Sequence, residues 1–215
     1  MKGYFITGTD TGVGKTFVAS ALARRSRALG HRVFAFKPIE SGCEVLDNRR
    51  IGSDQERLAL AAGDWQQGDL RGVYKFQLPA APLVAAEAEG ATVDLGLVAK
   101  TFAAGAGQAD RVLVEGAGGW RVPLTRSEDT GALARLIGLP LIVVARATLG
   151  TINHSLLTLE AIERDGLSVA LLVLSRHPGD DPEFAQNNAD QIRLRWPGSV
   201  LVFSQIETVL DPFLV

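Results

Sequence analysis

The chain is expected to fold as a single α/β domain, a mainly parallel sheet flanked by helices, and three observations carry that expectation. Short apolar runs recur along the 215 residues, separated by longer segments with helical spacing. Most runs are apolar at successive positions rather than alternating, as a strand covered on both faces requires. A glycine-rich turn ending in Gly14-Lys15-Thr16 joins the first run to the first helical segment.

The expected strands are Tyr4–Thr7, Arg32–Phe36, Arg111–Val114, Leu141–Ala145, Val169–Leu174 and Ser199–Phe203. Between the first two, Lys15–Leu29 places Val18, Ala19, Leu22 and Ala23 at helical spacing, and Gly30 supplies a stop. Ser53-Asp54-Gln55-Glu56 has the order of a capping box, with Leu58, Ala59, Ala61 and Ala62 following and Gly63 ending the run. Further helices are expected at Ala81–Glu89, Asp94–Ala106, Thr130–Ile137, Thr151–Arg164 and Asp181–Arg195. The stretch from Gly63 to Pro82 is the least regular and reads as an insertion or a lid.

Composition narrows the class. With 47% hydrophobic and 21% charged residues the chain is too apolar for disorder. A net charge of -2 supplies no general attraction to nucleic acid or an anionic membrane, so any phosphate affinity is local. Apolar runs such as Leu139–Ala145 and Val169–Leu174 fall far short of the ~18 residues of a spanning helix. Met1–Asp10 lacks a basic segment followed by an apolar signal core, so the expected location is the cytoplasm. The lone Cys43 excludes an internal disulfide, and no His/Cys spacing suits a transition metal. No linker, repeat or charge block divides the chain, and residues 1–215 read as one nucleotide-binding domain.

The chemistry is concentrated in Gly8-Thr9-Asp10-Thr11-Gly12-Val13-Gly14-Lys15-Thr16. Between a strand and a helix, such a loop wraps phosphates in successive backbone N–H groups, aided by the helix N-terminus. Its lysine reaches the outer phosphates and its threonine can ligate Mg²⁺. The usual pattern has glycine where Thr9 stands. Asp10, Gly12, Val13, Gly14, Lys15, Thr16 and Phe17 are therefore the expected nucleotide-phosphate residues of a P-loop NTPase-like fold. A phosphate-bound Mg²⁺ needs nearby carboxylates. Glu115, at the end of the third apolar run before the expected loop Gly116-Ala117-Gly118-Gly119, and Asp54, at the start of the second helix, are the candidates; Asp54 is alternatively an acid serving the helix dipole. Lys37, opening Lys37-Pro38-Ile39-Glu40-Ser41-Gly42, would bring a second cation to the same sheet edge, where preorganised charge stabilises a transferring phosphoryl group.

These residues resemble a known family, the ATP-dependent dethiobiotin synthetases. The resemblance rests on five blocks in order: Thr7–Thr16, Lys37–Gly42, Ser53-Asp54, Val114–Gly119 and Leu149–His154. It implies closure of a cyclic urea on 7,8-diaminononanoate with CO₂ and ATP. An amine forms a carbamate, the carbamate takes the γ-phosphoryl group, and the second amine displaces phosphate. The resemblance places Mg²⁺ on Thr16, Asp54 and Glu115. It sets Thr11, Lys15, Lys37 and Ser41 around diamine, carbamate and transferred phosphate, with Lys37, Lys15 and Thr11 catalytic and Gly116, Ala117, Gly118 and Gly119 lining the substrate. It also implies a homodimer in which Leu149, Gly150 and Asn153, at the start of a helix, receive the diamine's remote carboxylate from a neighbouring subunit.

Two departures stand late in the chain. Ser175 occupies the place where the family usually has an adenine-reading asparagine, and Phe203-Ser204-Gln205-Ile206-Glu207 stands where a Gly-x-Ile-Pro segment is usual. The alternative function is a switch ATPase like ParA or MinD. Such proteins carry a lysine five residues before the loop lysine, where this chain has Asp10, and often a membrane tail, for which Asp211–Val215 is too short. Amidating relatives need a glutaminase domain, for which the chain has no room. His31 and His177 read as surface residues, and Trp120 as either a substrate wall or core.

Overall fold

The structure, a computed structural model, describes residues 2–214. Strand β1 (Lys2–Gly8) leads through the glycine-rich turn into α1 (Lys15–Ala28). Gly14, at the start of that helix, has φ +100°, a left-handed conformation open to a residue without a Cβ. Then follow β2 (Val33–Phe36), β3 (Ile39–Ser41) and the antiparallel pair β4 (Glu44–Leu46) and β5 (Arg49–Ile51). That hairpin turns at Asp47-Asn48, both with positive φ, which matches the twist of paired strands. Next come α2 (Ser53–Ala61), β6 (Tyr74–Phe76), α3 (Pro82–Ala88), α4 (Leu95–Ala106) and β7 (Arg111–Gly119). The chain continues with α5 (Thr130–Ile137), β8 (Leu141–Arg146), α6 (Thr151–Arg164), β9 (Val169–Ser175), α7 (Pro182–Arg193) and β10 (Val200–Phe203), and a 3-10 turn at Glu207–Phe213.

Six strands form the main sheet in the order β10-β9-β8-β1-β7-β2, every pair parallel. The unbroken apolar runs have the expected cause. On one face Phe5, Phe34, Val112, Val143 and Leu172 join a core with residues of α3 to α7. On the other, Ile6, Val33, Leu113, Ile142 and Leu171 pack with α1, α2 and the C-terminal turn. Neighbouring residues of one strand thus enter opposite cores. Asp94, Asp129 and Asp181 cap α4, α5 and α7 by accepting backbone N–H groups at the helix starts.

Three local expectations are corrected. The helix at Ser53 has no capping box: Gly52 is its cap residue, no side chain of the cap residue contributes, and the Glu40 carboxylate accepts the Asp54 and Gln55 N–H groups instead. The run Gly116–Gly119 is not a loop but the second half of β7, paired back to β1 as far as Gly8 and Gly119, so Glu115 lies mid-strand opposite Ile6. The irregular stretch from Gly63 to Pro82 packs as part of the body. Its Gln66 is fully buried and hydrogen-bonded to both backbone groups of Ala35, and β6 runs parallel to β3. Trp120 belongs to the core, 4% exposed, and donates its indole N–H to Asp165 at 2.8 Å.

Candidate active site

The carboxyl ends of β1 and β2, the middle of β7 and the start of α2 meet around a cleft of about 600 Å³. Ligands of open parallel sheets gather at this edge, where the strand order reverses. Thr11, Gly12, Gly14, Lys15, Thr16 and Phe17 line one side, and Lys37, Glu40, Ser41 and Asp54 the other, with Glu115 between. The ends are closed by Pro79–Pro82 and by Ala117, Gly118 and Val122.

Lys15 is 6% exposed and donates to its own loop, at the Asp10 carbonyl, at 2.8 Å. Burial pulls its ammonium down to about 8, against the pull of Glu115 upward. The Asp10 carboxylate turns away to accept the Thr11 N–H at 2.7 Å. Val13 carries the loop's other anchor, a side chain 3% exposed in the core beside α1.

Across the cleft Lys37 Nζ contacts Asp54 Oδ2 and donates to Glu115 Oε1 at 2.8 Å. Burial would lower its pKa, but the Glu115 and Asp54 carboxylates outweigh that and hold it well above the ordinary lysine range. Asp54, whose burial acts the other way, is held below the usual carboxylate range chiefly by Lys37. Thr16 Oγ1 donates to the same Glu115 Oε1 at 3.0 Å. Glu115 is 1% exposed and its Oε2 is buried without a hydrogen-bond partner, a costly state that a cation would relieve. Thr16, Asp54 and Glu115 present hard oxygen donors, the chemistry Mg²⁺ selects, and two carboxylates are what it takes when phosphates complete the shell. The residues present therefore fit that ion. The site has two carboxylates and a hydroxyl; no metal-holding cluster of three or more His, Cys, Asp or Glu occurs among the described residues.

A second hollow continues past the phosphate loop, bounded by Phe17, the Ser175–Gly179 turn and Ser204-Gln205-Ile206. The Phe17 ring, 38% exposed, leans on Phe203 with centroids 5.3 Å apart. Ser175 ends β9 with its buried Oγ unpaired and facing Gly14, where an added Cβ would collide with it. It therefore contacts the phosphate loop. His177, expected at the surface, is half-buried on the rim between the two hollows.

Not every expected residue lines the cleft. Gly116 is buried behind it, where an added Cβ would meet Thr130 and Phe5, and Gly119 faces the backbone of Thr9. Leu149, Gly150 and Asn153 lie apart, at the turn from β8 into α6. Leu149 there is 90% exposed. Residues that sequence reasoning missed are Glu40, Arg57 and the Pro79–Pro82 wall. Glu40 alone carried a signal, its place in the Lys37–Gly42 block.

Comparison with known proteins follows this geometry. A family model described as an AAA domain matches residues 2–209. The MinC:MinD cell division complex of Aquifex aeolicus superposes with a TM-score of 0.58 at 16% identity, over 100% of this chain and 85% of that one, which is a likeness of fold. An ATP-dependent dethiobiotin synthetase BioD from Anaeromyxobacter dehalogenans strain 2CP-C is 48% identical over 195 residues, covering 90% of this chain and 86% of the relative. The chain belongs to the ATP-dependent dethiobiotin synthetase family. Another synthetase of that name, from Anaeromyxobacter sp. strain Fw109-5, is 43% identical over the same share of both chains. The family model's span, residues 2–209, takes in the phosphate loop, Lys37, Asp54 and Glu115 together. Next to it, the MinD likeness is one of fold alone.

Proposed function

We propose that the chain is a dethiobiotin synthetase, an ATP-dependent carbon–nitrogen ligase that carboxylates 7,8-diaminononanoate and closes it to a cyclic urea, releasing ADP and phosphate. The observation that supports this most directly is Lys37, a buried cation shared by Asp54 and Glu115 opposite the phosphate loop.

The work of the protein is positioning and charge stabilisation, since the substrate's own amines are the nucleophiles. One amine adds to CO₂ and loses a proton to give a carbamate. A carbamate oxygen then takes the γ-phosphoryl group as ADP leaves. The second amine attacks the carbonyl carbon of this carbamic-phosphoric anhydride, expelling phosphate and closing the ring. Asp10, Gly12, Val13, Gly14, Lys15, Thr16 and Phe17 hold the nucleotide phosphates. Thr16, Asp54 and Glu115 would hold Mg²⁺, which when bound neutralises phosphate charge as it builds on transfer. Lys37, kept charged by its two carboxylates, serves as a fixed cation for the carbamate and the transferring group. Lys15 and Thr11 act on the same oxygens. Ser41, Ala117 and Gly118 orient the diamine, with Gly116 and Gly119 shaping that wall from behind.

The diamine's carboxylate is assigned to Leu149, Gly150 and Asn153 of a second copy, because the N-terminus of α6 offers free N–H groups and lies outside this chain's own cleft. The working unit is then a homodimer, acting in the cytoplasm on small molecules without nucleic acid or membrane. No helix among the described residues is long and apolar enough to cross a membrane.

Phosphate release measured with Mg²⁺ and ATP, with and without CO₂ and diamine, tests the reading. Release requiring both supports it; release indifferent to them points to a switch ATPase.

A further inference from the structure

The segment that carries Lys37 and the helix that carries Asp54 are tied together by two buried side chains that reach in opposite directions. Glu40, on β3 and 6% exposed, accepts the Asp54 N–H on Oε1 and the Gln55 N–H on Oε2, both at 2.9 Å. Gln55, fully buried on α2, sends its side-chain amide back to the Lys37 carbonyl at 2.9 Å and to the Tyr74 carbonyl at 3.3 Å. Two glycines leave room for this exchange. A Cβ on Gly52 would run into Glu40 Oε2, and one on Gly72 into the Gln55 amide.

Capping alone does not explain the arrangement. The orphan N–H groups of a helix start are ordinarily met by a serine, threonine, asparagine or aspartate at the cap itself. Here the cap residue is Gly52, and the acceptor comes from a separate strand three residues beyond Lys37. What the distant carboxylate adds is a fixed relation between Lys37 and Asp54. The Lys37–Asp54 ion pair cannot supply that relation throughout a reaction cycle, because a cation on Asp54 or an anion at Lys37 competes for one of its partners. Bonds between Glu40 and backbone N–H groups, and between Gln55 and a backbone carbonyl, leave both functional side chains free.

We propose that Glu40 and Gln55 form a clamp that fixes Asp54 against Lys37, and that Glu40 is a positioning residue for the Mg²⁺-bound nucleotide. This rests on the reading of Asp54 as a Mg²⁺ donor. Groups that orient a metal ligand typically control metal affinity by 10–100-fold, and small misplacements at a reacting centre are costly.

The test is calorimetric binding of the non-hydrolysable β,γ-imido analogue of ATP to the full chain, in EDTA and across a Mg²⁺ titration, for wild type, Glu40→Ala, Glu40→Gln and Gly52→Ala. Glu40→Ala is expected to raise the half-saturating Mg²⁺ concentration about ten-fold while metal-free binding, which reads the phosphate loop, stays within about two-fold of wild type. Glu40→Gln, which keeps one acceptor oxygen, is expected to recover part of the loss. Gly52→Ala, which crowds Oε2 while keeping the carboxylate and its charge, is expected to lie between. Where Glu40→Ala does not fold, the other two variants carry the same comparison. The clamp is overturned if folded variants keep wild-type Mg²⁺ dependence, if metal-free binding falls equally, or if none of the three folds, which would make the role one of stability. Mg²⁺-dependent binding in a wild-type chain that shows no diamine-dependent phosphate release would defeat the synthetase reading and leave the clamp standing.

Discussion

Lys37 donates to Glu115 Oε1 at 2.8 Å, joining a residue just beyond β2 to one in the middle of β7, 78 positions later in the chain. Both are nearly inaccessible, and with Asp54 they place one positive and two negative groups in a small volume. Lys15, across the cleft, feels both carboxylates as well, so two positive groups face two negative ones.

Replacing Lys37 with alanine should lower turnover by at least about 100-fold, the scale of losing one preorganised charge at a reacting oxygen. Nucleotide affinity should change far less. The variant should also melt earlier without ligand, since Glu115 is left buried and unpaired, and Mg²⁺ with nucleotide should restore more of its melting temperature than it adds to wild type. Near-normal turnover would remove Lys37 from the chemistry.

Glu115→Gln should weaken the Mg²⁺ dependence of nucleotide binding while sparing binding in EDTA. An amide preserves the shape and one acceptor but not the charge that holds a divalent ion. A Mg²⁺ titration superimposable on wild type would discard Glu115 as a donor.

Lys15 titrates near 8 in the free chain because burial disfavours its charge. A bound triphosphate holds that charge in place, so binding above this pH takes up a proton. Affinity for the ATP analogue in EDTA should therefore be flat below about pH 7 and fall roughly ten-fold per unit well above 8, following proton linkage. A flat profile from pH 7 to 9 would place the Lys15 pKa elsewhere.

Base selectivity should be slight. Ser175 lines the hollow beside Phe17, its hydroxyl buried against Gly14, and a serine at that strand end supplies no side-chain amide to read an adenine edge. ATP, CTP and GTP at equal concentration should support turnover within about one order of magnitude, a hydrogen bond's worth of discrimination. A strong preference for ATP would show that other groups, Gln205 foremost, do the reading.

Much of this was legible in the chain itself. Doubly buried strands announce themselves by unbroken apolar runs, and the phosphate loop by its place between Ile6 and Val18. The three-residue strands β3 and β6 were invisible because so short a segment shows no period. Ser53 misled because a capping box is a statement about which residue sits at the cap, and Gly52 sits there. The Lys37–Gly42 block marks Glu40 as a member but not its part, since its partners lie 14 and 15 residues further on. The glycines after Glu115 looked like a loop because their conformational freedom is real, yet the strand resumes its pairing with β1 at Gly119, and that freedom goes into the bulge between.

That last feature bears on how the enzyme could be re-engineered. The wall formed by Ala117 and Gly118 is almost entirely main chain, bulged between the pairings of Glu115 and Gly119 with β1, and offers little more than one methyl group to trim. At Gly118, with φ +61° and Val122 close by, any substitution would narrow the cleft and strain the backbone as well. Under the proposed function, wider acceptance of diamines would come from the opposite wall, Pro79–Pro82, which stands outside all three sheets and ends at the start of α3.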